Sequence, residues 1–222
     1  MKNLETYNKV VTVGVDFVND FFPDGSLPVA DADLTIPPFN SAADWTRQQP
    51  NSLVAFPKEA HPKVTDHFGY PPDYRTTWPE HGIDGTWGAE FRTGLVVTEA
   101  DVVLKKGMKV NEDAYSGFMA VGMGGVDLES LITPVKHERV AVIIGGLATD
   151  YCIKATLLDA QRLATHLFDR DRTLDVYALT DAMRPVNETT GEEALEVIAA
   201  EGIRMITSRD LVEGQVMRVE EM

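Results

Sequence analysis

What most limits how this chain can fold is a series of short, continuous apolar runs rich in Val and Ile, at residues 10–17, 52–56, 101–105, 140–145, 176–180 and 204–207. Runs that do not alternate with polar residues suit burial on both faces, the setting of a central parallel strand. Between the later runs the period changes. Over residues 150–167, Ile153, Leu157, Ala160, Ala164 and Leu167 recur at spacings of three and four, one buried helix face. Residues 188–200 repeat the pattern with Ala194, Leu195, Ile198 and Ala199, and Gly202 ends it. Strands alternating with helices predict βαβ units, whose right-handed crossovers cover both faces of a parallel sheet. The expected fold is α/β: a single-domain three-layer α/β/α sandwich over residues 1–222, Rossmann-like, with a mainly parallel sheet of about six strands.

A chain of 222 residues buries a sizeable core without disulfide staples. Its 44% hydrophobic and 25% charged residues exclude disordered and fibrous classes. Asp and Glu number 35 against 20 Lys and Arg, a net charge of −15. Such a surface repels phosphates, so neither nucleic acid nor an anionic membrane is an expected partner. The single cysteine, Cys152, makes no internal disulfide and points to a reducing compartment. The start, Met1-Lys2-Asn3-Leu4-Glu5-Thr6, lacks the apolar run of a signal peptide. The most apolar stretch, residues 140–148, is far short of the roughly 20 residues that span a bilayer. The expected location is cytoplasmic.

Residues 57–100 break the pattern. They hold five prolines and three of the five histidines, with few aliphatic residues. A loop of that length in a compact domain is either functional or a misread element, and the histidines favour function. Residues 24–50 read as a second loop, rich in Pro, Ala and Asp. There is no G-x-S-x-G elbow, no phosphate-binding lysine loop and no C-x-x-C pair. Gly122-Met123-Gly124-Gly125 fails the dinucleotide pattern because Asp127 takes the last glycine's place. Asn187-Glu188-Thr189 matches a glycosylation sequon, but nothing points to secretion.

Candidate chemistry lies at the strand ends. Cys152 follows a buried run and a glycine turn, at the start of a helix whose expected N-cap is Thr149 or Asp150. A thiol there faces unpaired amides and the positive end of the helix dipole, which favour the thiolate and can hold an oxyanion. A free cysteine is equally a common packing residue. Asp16 closes the first run, where a buried carboxylate needs a partner; a turn cap is the alternative. Lys105 and Lys106 end the third run, and either a solvated end or a partner for Asp16 fits them. Asp, Lys and Cys at three strand ends point to covalent catalysis with an acid–base partner. In the long loop, Glu59, His61, His67 and His81 make a donor set suited to Zn, Fe or Mn, or else scattered solvated side chains. His137 and His166 read as surface residues.

Four segments, in order, carry a resemblance. The first is Asp16-Phe17-Val18-Asn19-Asp20-Phe21, followed by Gly25-Ser26-Leu27-Pro28-Val29. The second is Trp78-Pro79-Glu80-His81, followed by Gly85-Thr86-Trp87-Gly88-Ala89-Glu90-Phe91. The third is Lys106-Gly107, leading to Ala114-Tyr115-Ser116-Gly117-Phe118, and the fourth is Gly146-Leu147-Ala148-Thr149-Asp150-Tyr151-Cys152. Over roughly three quarters of its length the chain resembles the isochorismatase-like cysteine hydrolases, and among them the nicotinamidases. The resemblance implies Cys152 as nucleophile, Asp16 as acid and base, and Lys106, which precedes the glycine, as the orienting cation. It implies a cis peptide between Leu147 and Ala148, with the Ala148 and Cys152 amides as oxyanion hole. It also implies a divalent metal, zinc foremost, on His61, His67 and His81, and a flat pyridine ring walled by Phe21, Trp78, Tyr115 and Leu147. The substrate would be nicotinamide, and members usually form homo-oligomers. The chain departs from the pattern at Glu59, where Asp is usual, at Gly82, where Cys is frequent, and at Tyr151, where His is frequent. Other expectations are hydrolysis of a carbamoyl or ureido amide without metal, and a non-enzymatic metal-binding protein on the same fold.

Overall fold

A computed structural model describes residues 5–112, 115–167 and 171–220. Ala114 of the third motif and Met1–Leu4 lie outside them. All six apolar runs are strands: β2 (Lys9–Val15), β3 (Leu53–Glu59), β4 (Val102–Lys106), β6 (Arg139–Leu147), β7 (Thr173–Arg184) and β8 (Arg204–Ile206). A two-residue strand, β5 (Val121–Gly122), joins one edge antiparallel to β4 and completes a seven-stranded sheet in the order β5-β4-β3-β2-β6-β7-β8. All other pairings in that sheet are parallel. β1 (Glu5–Tyr7) and β9 (Met217–Val219) pair separately.

Alternation along the central strands sorts side chains onto two faces. Val11, Val13 and Val15 face the same core as Val140, Val142 and Ile144. Helices α2 (Leu128–Ile132), α3 (Lys154–Leu167) and α4 (Glu188–Ala200) cover that face with Leu128, Leu157 and Ile198. Val10, Ala141, Ile143 and Tyr177 face the other core. There α1 (Ile36–Arg47) and α5 (Ser208–Val212) pack Phe39, Ala43 and Leu211. The result is the expected three-layer sandwich. Ala199, assigned to the buried face of α4, is instead exposed.

Helix α1 corrects the reading of residues 24–50 as loop. Its first turn carries two prolines, which need no intrahelical donor there. Ile36, Phe39, Ala42, Ala43 and Thr46 then form a buried stripe. No helix among the described residues is long and apolar enough to cross a membrane.

Candidate active site

Four neighbouring strands, β4-β3-β2-β6, present their carboxyl ends side by side, where an open parallel sheet forms its crevice. Asp16 follows β2 directly. Its φ of 56° lies in the left-handed region that non-glycine residues seldom adopt. The Asp16 amide donates to the Pro57 carbonyl at 2.9 Å, and its Oδ1 accepts the Glu59 amide at 2.9 Å. Glu59 and Lys106 end β3 and β4 as direct register partners, so both side chains leave the sheet on the same side. Lys106 Nζ sits 2.9 Å from Asp16 Oδ2, 3.2 Å from Glu59 Oε1 and 3.6 Å from Cys152 Sγ. Asp16 and Lys106 are wholly buried and Glu59 nearly so. Their charges survive there because they are paired. Lys105 points outward to Asp84 at 2.7 Å.

β6 ends at Leu147, whose peptide bond to Ala148 is cis. A wide helical turn, Thr149–Ile153, then feeds α3 and places Cys152 in its first turn. Neither Thr149 nor Asp150 caps this turn; Ala148 occupies that position with no side-chain bond. Asp150 reaches sideways instead. Its carboxylate accepts the Val186 amide at 2.9 Å and the Thr190 hydroxyl at 2.6 Å, tying the segment before α4 to the cysteine turn.

Around the Cys152 thiol the surroundings act against the lowering that a helix start favours. Burial pushes its pKa well above the ordinary value, Lys106 opposes this, and the Asp16 and Glu59 carboxylates add to it. Burial also raises the Asp16 carboxyl to about 6, against the pull of the Lys106 ammonium. Lys106 keeps its proton firmly, because Asp16 and its other anionic neighbours outweigh the cost of burial. Glu59 is held well below the carboxylate range; Lys106 and His81 outweigh its burial. The thiol is in hydrogen-bonding contact with the buried Asp16 carboxylate.

His61, His67 and His81 converge next to this cluster, with one ring nitrogen of each within 4.8 Å of the others. His61 Nδ1 bonds to the Gly107 carbonyl at 3.1 Å and His81 Nδ1 to the Pro79 carbonyl at 2.7 Å. A carbonyl accepts only an N–H, so each Nδ1 carries a proton and each Nε2 is turned inward, that of His81 toward the Glu59 carboxylate. His61 Nε2 is buried with no hydrogen-bond partner. Glu59 Oε2 lies 3.1 Å from His81 Nε2 and 3.6 Å from His61 Nε2. Three converging imidazoles beside a carboxylate match the donor set of a zinc-type divalent ion. Asp16, Glu59 and Cys152 also lie within 4.8 Å of one another, but the Lys106 ammonium among them disfavours a cation.

Both clusters open on one small cavity. Its polar lining is Cys152, Glu59, His67 and His81, and its walls are Phe21, Leu27, Trp78, Tyr115, Ala148, Tyr151 and Val186. Trp78 Nε1 donates to the Tyr115 hydroxyl at 3.1 Å, and Tyr151 meets Trp78 edge-on at 4.9 Å. Leu147 does not line the cavity; it is buried in the core. Leu27, Tyr151 and Val186 had no assigned role. Tyr151 is signalled by its place before the cysteine, whereas Val186 has no local signal, because Asp150 brings it in from another segment.

The isochorismatase domain family matches residues 10–210. A nicotinamidase/pyrazinamidase of Mycobacterium tuberculosis is 32% identical over 87% of this chain and 96% of its own. An Escherichia coli nicotinamidase is 30% identical, covering 90% of this chain and 96% of its own. Among solved structures, the pyrazinamidase of Pyrococcus horikoshii in complex with zinc superposes with a TM-score of 0.71 at 30% identity, covering 89% of this chain and 98% of that one. On the strength of a match spanning nearly its whole length, the chain belongs to the isochorismatase domain family.

Proposed function

We propose that this chain is a nicotinamidase, hydrolysing nicotinamide to nicotinate and ammonia with Cys152 as nucleophile. The observation that carries the reading is one cavity holding Cys152 beside a buried carboxylate–ammonium pair at one end, imidazoles at the other, and aromatic walls between. That layout suits a flat heteroaromatic ring with a carboxamide. The names of the relatives, nicotinamidase and pyrazinamidase, support the same substrate class.

Phe21, Trp78 and Tyr115 hold the ring and exclude water. Asp16 takes the thiol proton as sulfur attacks the carboxamide carbon. Lys106, anchored by Asp16 and Glu59, stabilises the charge shared between thiolate and carboxylate. The amides of Ala148 and Cys152 receive the tetrahedral oxyanion. Asp16 returns the proton to the leaving nitrogen, and ammonia departs from a thioester. Asp16 then draws a proton from water, which cleaves the thioester and frees nicotinate and Cys152. His61, His67 and His81, with Glu59 alongside, would hold a divalent ion; when bound, it supplies a Lewis-acidic partner for the ring nitrogen.

Ammonia release from nicotinamide tests the reading. Cys152→Ala is expected to lower turnover by about 10⁴-fold or more. Undiminished turnover would overthrow the mechanism. Release that falls on chelation and returns with zinc supports the histidine site. Release indifferent to chelator removes the ion from the reaction and leaves the cysteine in it.

A further inference from the structure

The histidine cluster hangs on a carboxylate that no step of the chemistry uses. Asp20 lies in the short helical turn Asn19–Phe21, nine-tenths buried, four residues past the proposed base. Its Oδ2 accepts the Gly82 amide at 2.8 Å and its Oδ1 the Ser26 amide at 3.2 Å. The Gly82 peptide is a junction. Gly82 is bonded covalently to His81, and its carbonyl accepts the His61 amide at 2.8 Å. One hydrogen bond from Asp20 therefore restrains the backbone that carries two of the three imidazoles. The residue has a built seat as well. A Cβ on Gly88 would fall 2.0 Å from Asp20 Oδ2, so the bare glycine backbone packs directly against the carboxylate. At Gly82, φ is +56° and a Cβ would fall 2.8 Å from the Glu59 side chain, so beside this glutamate a larger residue is strained.

Resting on the metal reading above, we infer that Asp20 is a positioning residue for the metal site. It sets the spacing of His61 and His81 through the Gly82 peptide, and through Ser26 it ties them to the segment bearing the cavity residues Phe21 and Leu27. Its role requires two acceptor oxygens facing two backbone donors. Asn at this position turns an NH₂ toward one of them, so the nearly isosteric change is not conservative here. Outer-shell partners of this type are worth about 10–100-fold in metal affinity.

The test is zinc affinity by competition with a chromophoric chelator, with the visible spectrum of the cobalt-loaded protein as a second readout. It compares the wild type, Asp20→Asn and Gly88→Ala, the last displacing the carboxylate without removing it. Both variants are expected to bind zinc about 10–100-fold more weakly and to show an altered cobalt spectrum, with far-UV circular dichroism unchanged. Should Asp20→Asn fail to fold, Gly88→Ala alone decides. Wild-type affinity and spectrum in a folded variant overturn the inference. Loss of fold in both variants also overturns it, in favour of a purely structural carboxylate. A wild-type protein that takes up no zinc brings down the metal reading instead, and this inference with it.

Discussion

Lys106 shows how much of the site rests on one atom. Its ammonium, out of contact with water, holds Asp16, Glu59 and Cys152 within 3.6 Å. Removing one partner of a buried ion pair strands the other charge. Lys106→Met would leave two carboxylates facing each other without a cation. The expected cost is about 3–5 kcal/mol of stability, measured by urea denaturation, together with loss of turnover. Asp16 stood out in the sequence as a carboxylate closing an apolar run, and Cys152 as a thiol at the strand–turn–helix junction after another. The choice between Lys105 and Lys106 was not, since both stand at the same strand end; the resemblance chose Lys106, and the sheet register turns it inward. The surroundings of the thiol were hidden for a related reason. A helix start alone predicts a lowered pKa, but burial and two neighbouring carboxylates prevail.

At the scale of elements, strands were legible wherever both faces are buried, because continuous Val and Ile runs have few other uses. Shorter or less regular elements escaped, β5 and α1 among them. β5 spans two residues, too few to show a period. α1 opens on Pro37 and Pro38 and fills its buried stripe partly with Ala and Thr, so its sequence resembles a loop. The start of α4 gives the sequon residue Asn187 a structural use: its Oδ1 accepts the amides of Thr189 and Thr190. Asn187→Ala is expected to cost about 1 kcal/mol of stability, read from the denaturation midpoint at unchanged slope.

At the scale of the molecule, three histidines spread over 21 positions form one cluster only after the loop has folded across the sheet end, which is why their spacing alone left a solvated alternative open. A ligand that binds only the folded form stabilises it by about 2.7 kcal/mol at 100 times its Kd. For a chain of this size, stripping the ion with EDTA is expected to lower the thermal midpoint by roughly 5–10 °C, and zinc to restore it. Differential scanning calorimetry checks this without any assay of turnover.

The ordering of the strands carries one more consequence. Lys106, Glu59, Asp16 and Cys152 stand at or just past the ends of four strands adjacent in space, and the β2–β6 pairing joins Lys9 to Val140 across much of the chain. Pairings of such long range close slowly, because the loop entropy must be overcome before any contact rewards it. On dilution from urea, helical circular dichroism is therefore expected to return before ammonia release does. Catalysis thereby becomes a clock for assembly, since turnover starts only when all four strand ends stand side by side.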